Sequence, residues 1–503
     1  MKQLRYFMTV IMLLSVTDIA KAQQHAFSSI SPSMHTLYYE IVDNGAMVVR
    51  PIDIYEGEWY YTDYVLDGNL IFPDTVEYEG VKYPVISVRN STFVNCDRIK
   101  SVIFSNTMKS IGNTAFSFCD SLESITIGKM MDTIYDGAFR DCPRLTSIYF
   151  NADSCKTVST DGGDNNLVFR GSPIQSIVFG DNVIKIPNYC CKECTGLTSV
   201  VIPNSVQSMG RSVFEGCTGL TSITLSNTLN VIPQGTFFRC TSLSTFSIPN
   251  SVTEIGSSAF GFCSGLTSIE LTNSIVKVGR NAFMGCNSLN SPVYNNTLFV
   301  YLPGNYTGCY SIPEGPKVIC SSAFCDAESV DSVILGPSVL RIDPYAFVES
   351  GIEYISIGEN VDSILRYAFS GCSDLMTVRS LAQQPPLCVD EPFSGLPYAA
   401  TLYVPCGTKS MYETSYGWRN FNTIVEECSN GISCPETDEN IIWQENGKII
   451  VKSNQIEEVL VYNIEGKQVS RIQTPEGRTQ PLQPGAYFVS IGNKLTRKIV
   501  IVK

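Results

Sequence analysis

The sequence contains very little histidine. Its two histidines, His25 and His35, both precede the repeats that fill most of the 503-residue chain. No Ser-His-Asp or Cys-His arrangement can therefore be assembled from repeat residues. A paired-carboxylate site needs no histidine, but the acidic residues neither recur nor cluster at positions that would face each other across a cleft. We therefore expect no catalytic residues, and nothing in the sequence calls for a metal or another cofactor.

Charged residues and long apolar runs are also scarce. Charged residues make up 17% of the chain and apolar residues 44%, a balance typical of folded proteins. The formal net charge is −13, and an acidic surface repels phosphate backbones, which argues against a nucleic-acid partner. The one membrane candidate, Tyr6–Val16, is too short to span a bilayer. We therefore expect no transmembrane segment in the mature chain.

The N-terminus has the order of a secretory signal peptide. Lys2 and Arg5 precede the apolar run, and Ala20-Lys21-Ala22 supplies small residues at the −3 and −1 positions before Gln23. This order predicts a signal peptide over residues 1–22 that is removed on export. We expect the mature protein to be secreted or held at the outer cell surface.

One phrase recurs through the middle of the chain: Ala-Phe-x-x-Cys-x-x-Leu-x-Ser-Ile-x-Ile, a turn, then Val-x-x-Ile-Gly. Its anchoring position is held by Phe93, Phe116, Phe139, Phe169, Cys191, Phe214, Phe237, Phe260, Phe283, Phe324, Phe347, Phe369 and Phe393. Most intervals are 22–24 residues, and the two long ones, 30 and 41, are one unit plus an insertion. A period this steady is the signature of a repeat architecture.

Each unit has a physical interpretation. Leu122, Ile125 and Ile127 have the spacing of a short strand whose alternate side chains enter the core, and pairs such as Pro203-Asn204 turn the chain. One unit cannot bury its own apolar side, but stacked units share one continuous core. We therefore predict a β-rich solenoid of about 13 coils with about 23 residues each.

Most of the 19 cysteines follow this repeat. Nine occupy the third position after the anchoring residue: Cys96, Cys119, Cys142, Cys194, Cys217, Cys240, Cys263, Cys286 and Cys372. Other units place Ser172, Ala327, Ser350 or Leu396 there. This exchange indicates a small buried slot in which a free thiol packs as an apolar group. Disulfides between adjacent coils are the alternative.

Three further cysteine patterns call for interpretation. Cys191 and Cys194 have metal-ligand spacing, but they also fill the anchoring and thiol positions of one coil, and we favour that structural role. Outside the slots, Cys388 with Cys406 and Cys428 with Cys434 are possible disulfide pairs.

Stacked strands place equivalent side chains in rows on the solvent face. The serine row comprises Ser101, Ser124, Ser147, Ser176, Ser199, Ser222, Thr245 and Ser268. The mixed row comprises Ile103, Thr126, Tyr149, Val178, Val201, Thr224, Ser247 and Glu270. Small hydroxyls beside exposed apolar side chains suit a peptide or a glycan, so the mixed row is the candidate binding site. For the serine row, a role in solvating the sheet face is at least as good an explanation as ligand binding.

An aromatic group near the N-terminus is the alternative binding site. It comprises Trp59, Tyr60, Tyr61 and Tyr64. Aromatic faces suit sugar rings and protein hot spots. The same residues would also suit an amphipathic hairpin that caps the first coil, which we favour.

Residues 36–427 resemble the BspA-like leucine-rich repeat family of bacterial surface proteins. The resemblance rests on the repeat phrase, on the opening segment from Leu37-Tyr38-Tyr39 to Tyr83-Pro84-Val85, on the insertion at 290–312 and on the closing Gly417-Trp418. It implies a leucine-rich-repeat solenoid displayed at the cell surface, with adhesion to host proteins or other cells in some members. A fold does not by itself fix the partner.

The tail is a separate unit. The repeat stops before residues 428–436, which we interpret as a linker, and turns at Glu465-Gly466 and Pro484-Gly485 separate candidate strands over residues 437–503. This tail resembles the C-terminal sorting domain of the Bacteroidetes type IX secretion route. The resemblance implies a small β-sandwich, passage across the outer membrane, and release or attachment at the surface.

These features divide the chain into a signal peptide (1–22), an N-terminal capping region (23–90), the solenoid (91–427), the linker and the tail. They predict a non-enzymatic, exported scaffold whose partner is an extracellular protein, with adhesion as its candidate role. A glycan-binding surface protein is the second hypothesis, and a hydrolase is the third.

Overall fold

A computed structural model describes residues 26–42, 45–50, 66–158 and 167–428, and in the tail residues 441–445, 448–452, 458–463, 468–473, 476–480, 482, 485–491 and 494–501. The chain forms two compact units, Met1–Glu427 and Cys428–Lys503. The predicted signal peptide, the linker residues 429–436 and the aromatic group Trp59, Tyr60, Tyr61 and Tyr64 lie outside the described residues.

The first unit is a β-solenoid of about 14 turns, which confirms the predicted fold class. Most turns contribute one short strand to each of two parallel ladders. The turn that carries Gly68–Ile71 lacks the anchoring phenylalanine, and it adds one turn to the sequence-based count.

The first ladder contains the strands that carry the serine and mixed rows. Its strands are Gly68–Ile71, Ile99–Ile103, Ser124–Ile127, Ser147–Phe150, Ser176–Phe179, Ser199–Val201, Ser222–Thr224, Thr245–Phe246, Ser268–Ile269, Gly308–Ser311, Val330–Ile334, Tyr354–Ile357, Thr377–Ser380, Thr401–Pro405 and Thr423–Glu427. They are hydrogen-bonded in groups of 5, 2, 2 and 6 strands. Equivalent positions of neighbouring turns pair in register, as in Ser124 with Ser147.

In each coil, the strand of the second ladder follows the strand of the first ladder after a turn. Its strands are Val81–Val88, Ser110–Ile111, Thr133–Tyr135, Lys156–Val158, Lys185–Ile186, Ser208–Met209, Val231–Ile232, Glu254–Ile255, Lys277–Val278, Leu298–Tyr301, Val318–Ile319, Arg341–Ile342, Ser363–Ile364 and Leu387–Cys388. Val293–Tyr294, in the insertion, pairs antiparallel with Leu298–Tyr301.

Both ends of the solenoid carry additional elements. At the N-terminal end, Ala26–Ile30, Thr36–Val42 and Gly45–Val49 form an antiparallel sheet that continues in parallel into Val81–Val88, and Thr75–Tyr78 pairs with the latter strand. At the C-terminal end, a short α-helix, Lys409–Thr414, and a 3-10 helix, Trp418–Asn420, precede the last strand. No helix within the described ranges has the length and apolar character that crossing a membrane requires.

The anchoring phenylalanines form the centre of the core. Neighbouring rings lie parallel, with centroids 5.5 Å apart for Phe116 and Phe139 and 5.4 Å apart for Phe237 and Phe260. Cys191 interrupts the series in the coil between Phe169 and Phe214. Stacked rings of this kind contribute dispersion and quadrupole energy beyond simple burial, and they hold one turn on the next.

The glycine that closes the repeat phrase is explained by contact between coils. A Cβ at Gly256 would lie 2.4 Å from the backbone nitrogen of Gln234 in the preceding turn, and one at Gly210 would lie 2.4 Å from the nitrogen of Asn188. No side chain fits at these distances, so the two turns approach closely only because glycine occupies the corner.

The second unit contains antiparallel strands. Ile441–Glu445, Lys448–Lys452 and Glu476–Arg478 form one sheet, and Glu458–Asn463, Gln468–Gln473, Gly485–Ile491 and Lys494–Ile501 form another. The sorting-domain identity of this unit remains a prediction.

Candidate binding surface

The mixed row follows the first ladder, with breaks in the hydrogen-bonded pairing after Val178 and after Thr224. Ile103 pairs with Thr126, Thr126 with Tyr149, and Tyr149 with Val178. Val201 pairs in the same way with Thr224. Ser247 and Glu270 directly follow the strands that end at Phe246 and Ile269. The structure therefore brings the eight residues chosen from the sequence onto one face.

The N-terminal half of the mixed row is apolar and exposed. The exposed fractions are 39% for Ile103, 49% for Tyr149, 50% for Val178 and 66% for Val201. Thr126 is half-buried among them. The C-terminal half, which comprises Thr224, Ser247 and Glu270, is exposed and polar. The face can therefore bury apolar surface at one end and form hydrogen bonds at the other.

Hydroxyl groups beside the mixed row are partly used within the ladder. The Ser101 hydroxyl donates to the Asn69 side-chain oxygen at 2.8 Å. Thr221 and Thr267, which adjoin the serine row, donate to the carbonyl oxygens of Thr198 and Ser244, both at 3.0 Å. These bonds connect neighbouring turns, in agreement with a structural role for part of the hydroxyl surface.

The cysteines lie in the small buried slot that the sequence predicted. The side chain in this slot also donates a hydrogen bond. The thiols of Cys217, Cys240 and Cys263 donate to the carbonyl oxygens of residues 191, 214 and 237, each the anchoring residue of the preceding coil, at 3.1, 3.1 and 3.0 Å. Ser172 donates to the equivalent oxygen of Phe139 at 2.7 Å. None of the nine slot cysteines, all of which the structure describes, is disulfide-bonded, so the alternative of bridges between coils is wrong.

Burial makes these thiols poor nucleophiles. Desolvation raises the pKa of Cys217 and of Cys263 to about 12, and that of Cys372 to about 11. A thiol that keeps its proton at neutral pH neither attacks a substrate nor binds a metal readily. These three cysteines are therefore structural, whereas a hydrogen bond with Cys119 lowers the pKa of Cys142.

The remaining cysteine hypotheses can also be compared with the structure. Cys191 and Cys194 are both buried free thiols, and the carbonyl of Cys191 accepts the Cys217 thiol as an anchoring residue does. Cys388 is a buried free thiol, so the suggested Cys388–Cys406 pair is wrong. Cys406 and Cys428 are each disulfide-bonded.

His35 has a structural environment. Its ring nitrogens lie 2.9 Å from the Ser33 hydroxyl and 2.9 Å from the carbonyl oxygen of Asp67. Those contacts tie the N-terminal strands to the first turn of the solenoid. The second histidine, His25, lies outside the described residues.

The structure contains a cleft at the C-terminal end of the solenoid that was not predicted from the sequence. It has a volume of about 380 Å³ and is lined by residues that include Glu391, Tyr398, Asn420, Phe421 and Asn422. Phe393 and Leu396 hold the anchoring and slot positions of the last coil, whereas Tyr398, Asn420 and Asn422 come from the closing loops. Repeat analysis therefore gives no signal for them, and only the end of the period after the last coil marks the region.

Comparison with known proteins supports the repeat assignment. The family described as "BspA type Leucine rich repeat region" matches six copies at residues 69–161, 165–290 and 306–384, together more than half of the chain. No curated protein is significantly similar to the sequence.

Several solved structures resemble the solenoid. A leucine-rich repeat protein from Bacteroides ovatus is 23% identical with a TM-score of 0.52, and the alignment covers 78% of this chain and 98% of that one. The pneumococcal vaccine antigen PcpA is 15% identical with a TM-score of 0.48, covering 80% and 99%. A leucine rich cell surface protein from Faecalibacterium prausnitzii is 20% identical with a TM-score of 0.37, covering 80% and 96%. At these identities, the first likeness supports the fold alone.

Proposed function

The chain belongs to the BspA-type leucine-rich repeat family, and from this premise we propose that it is an exported, non-enzymatic scaffold that binds an extracellular protein through the mixed row. The observation that carries this proposal is the line of exposed apolar side chains at Ile103, Tyr149, Val178 and Val201. Their inward neighbours account for the core, whereas these four side chains contribute little to it.

The dimensions of this line suit a protein partner. At about 4.8 Å between strands, the five turns from Ile103 to Val201 extend over about 19 Å. That is the scale of the centre of an ordinary protein interface, which buries about 800 Å² on each side. A rigid ladder also loses little conformational entropy when it binds, so a larger part of the contact energy appears as affinity.

Tyr149 is the expected hot spot of the surface. It lies in the middle of the line, between Thr126 and Val178, and it is 49% exposed. Large aromatic side chains near the centre of an interface are the ones whose removal costs most, on the order of 2 kcal/mol or about 30-fold in affinity.

The test is a binding screen against a panel of purified extracellular-matrix proteins. Tyr149→Ala and Val201→Glu should each weaken a specific interaction at least tenfold. Tyr416→Ala and Val276→Glu are matched controls, because Tyr416 is 48% and Val276 is 65% exposed and both lie outside the mixed row. The controls should bind as the unaltered protein does. A hit that all four variants retain would remove the mixed row from consideration.

Glycan binding is the competing outcome of the same screen. The aromatic group Trp59, Tyr60, Tyr61 and Tyr64 was the sequence-based site for it. Glycan binding would replace the protein-binding proposal only if a neutral glycan binds the Tyr149→Ala variant with undiminished affinity and no protein of the panel binds through the mixed row.

Export to the cell surface is part of the proposal. The signal-peptide order of residues 1–22 and the sorting-like tail over residues 437–503 support it. Deletion of residues 437–503 should retain the protein inside the outer membrane, as fractionation and surface proteolysis would show. Unchanged surface exposure of the deletion variant would contradict use of the type IX route.

A further inference from the structure

The cleft at the C-terminal end of the solenoid has an apolar floor that the core holds in place. Phe393 and Phe421 are 7% and 8% exposed, and their rings lie 5.2 Å apart at 71°. Phe393 also stacks on Phe369 at 5.2 Å, so it ends the series of anchoring rings. The floor is therefore rigid, since it continues the best-packed part of the molecule.

The rim of the cleft is polar and carries one prominent aromatic ring. Glu391, Asn420 and Asn422 are exposed side chains in its wall. Tyr398 is 85% exposed, and its carbonyl oxygen accepts a bond from the Asn422 amide at 3.1 Å. The rim thus offers carboxylate and amide groups beside a ring that no core packing requires.

The backbone at Glu391 follows the repeat. Glu391 has a φ of 53° and lies two residues before the anchoring Phe393, and Tyr345 and Tyr367 occupy the same left-handed position before Phe347 and Phe369. Asp390, with a φ of 46°, adds a second left-handed residue next to it. The last coil therefore fixes the place of Glu391 in the wall of the cleft.

The matched repeats end at residue 384, before every residue of this cleft. The repeat therefore explains the floor and the backbone at Glu391, but not the exposed side chains of Tyr398, Asn420 and Asn422. A concave site with an apolar floor and a few polar groups at its edge is the usual form of a small-ligand site, and about 380 Å³ lies near the lower end of the range.

We propose that this cleft binds a neutral pyranose unit of a glycan. The apolar floor and the Tyr398 ring suit the C–H face of a sugar, whereas Glu391 and the Asn420 amide suit its hydroxyl groups. No lysine or arginine lines the cleft, so a carboxylated, sulfated or phosphorylated sugar would meet an unpaired carboxylate. This activity goes beyond the proposed protein binding and does not depend on the mixed row.

The experiment uses the full-length protein and four neutral probes: D-glucose, D-galactose, D-mannose and N-acetyl-D-glucosamine. Saturation-transfer NMR detects binding, and titration gives the affinity. For one ring in an open cleft we expect a dissociation constant on the order of 1 mM for the best probe. Tyr398→Ala and Glu391→Gln should each weaken binding at least tenfold. Both side chains are exposed, so the melting temperature should stay unchanged.

Two controls separate this site from the rest of the surface. Tyr416→Ala removes a ring of 48% exposure outside the cleft, and Tyr149→Ala alters the mixed row. Both should bind the sugar normally. The proposal is overturned if no probe binds at up to about 50 times the expected dissociation constant, or if Tyr398→Ala and Glu391→Gln both bind as the unaltered protein does. Either result leaves the protein-binding test of Tyr149→Ala and Val201→Glu unaffected.

Discussion

Substitution of Cys240 tests whether the slot requires a hydrogen-bond donor or only a small side chain. The side chain is fully buried, and its thiol donates to the carbonyl oxygen of Phe214 at 3.1 Å. A small apolar slot would accept alanine more readily than serine, because serine buries a hydroxyl. A donor slot predicts the opposite order, since serine can replace the thiol bond. Ser172, which bonds to Phe139 at 2.7 Å, shows that the geometry permits it.

The expected magnitudes follow from the contacts that each variant loses. Cys240→Ala removes one hydrogen bond, worth about 1 kcal/mol, and leaves a void of one sulfur atom, worth about 1 kcal/mol more. The Phe214 oxygen keeps its second donor, the Cys217 backbone N–H at 3.1 Å, so the loss is not larger. Cys240→Ser retains the bond and loses only part of the packing, about 0.5 kcal/mol.

Urea unfolding followed by circular dichroism measures the overall difference between the two variants. Because a solenoid can unfold in sections, hydrogen exchange in the coils that contain Phe214 and Cys240 should accompany it. We expect stability in the order native, Cys240→Ser, Cys240→Ala, with faster exchange confined to the altered coil and its neighbours. An alanine variant that equals or exceeds the serine variant would refute the donor interpretation.

Two further predictions concern pH and the corner glycines. The pKa of Cys217 and of Cys263 is about 12, against about 9 in the unfolded chain, so their stabilisation is complete below pH 9 and is lost as pH rises towards 12. The urea midpoint should therefore be lower at pH 10 than at pH 8, because the free energy of unfolding falls by up to about 1.4 kcal/mol per thiol for each pH unit above 9. The midpoint should fall less when both cysteines are replaced by serine, and a midpoint that does not change with pH would contradict this. Gly256→Ala meets backbone at 2.4 Å and should cost about 3 kcal/mol or more, whereas Gly336→Ala, whose nearest atom is at 3.6 Å, should cost less than about 1 kcal/mol in the same assay. Equal losses in the two alanine variants would rule out the close approach as the reason for glycine.

Much of the fold could be predicted from the sequence because its interior repeats. The anchoring Phe116 and Phe139 lie one turn apart, so a spacing of 23 residues in the sequence becomes a ring stack of 5.5 Å in the structure. The strand period of two then fixes which side chains face outward. For that reason the mixed row could be chosen from outward-facing positions, and its role as a binding site remains a prediction.

Other features depend on contacts between coils, which the spacing of residues in the sequence does not reveal. Other units have alanine where Cys240 and Ser172 stand, which indicates that the slot is small. The carbonyl oxygen that accepts a hydrogen bond from each of these side chains belongs to another coil, so the sequence does not reveal the bond. The close approach at Gly256 has the same origin. The cleft could not be predicted because Tyr398 and Asn422 are brought together by closing loops that occur once.

Comparison among the coils themselves separates residues that the fold requires from residues that it leaves free. Phenylalanine, the small donor and the corner glycine recur because each is in contact with the next turn, and serine recurs along the serine row. The mixed row changes from Ile103 to Tyr149 to Val201 to Glu270 in equivalent positions, so the ladder tolerates apolar, aromatic and charged side chains there alike. Exposed apolar residues that the fold does not require cost solubility without adding core stability. A partner that covers them is the simplest physical reason for Tyr149, Val178 and Val201 to lie along one face.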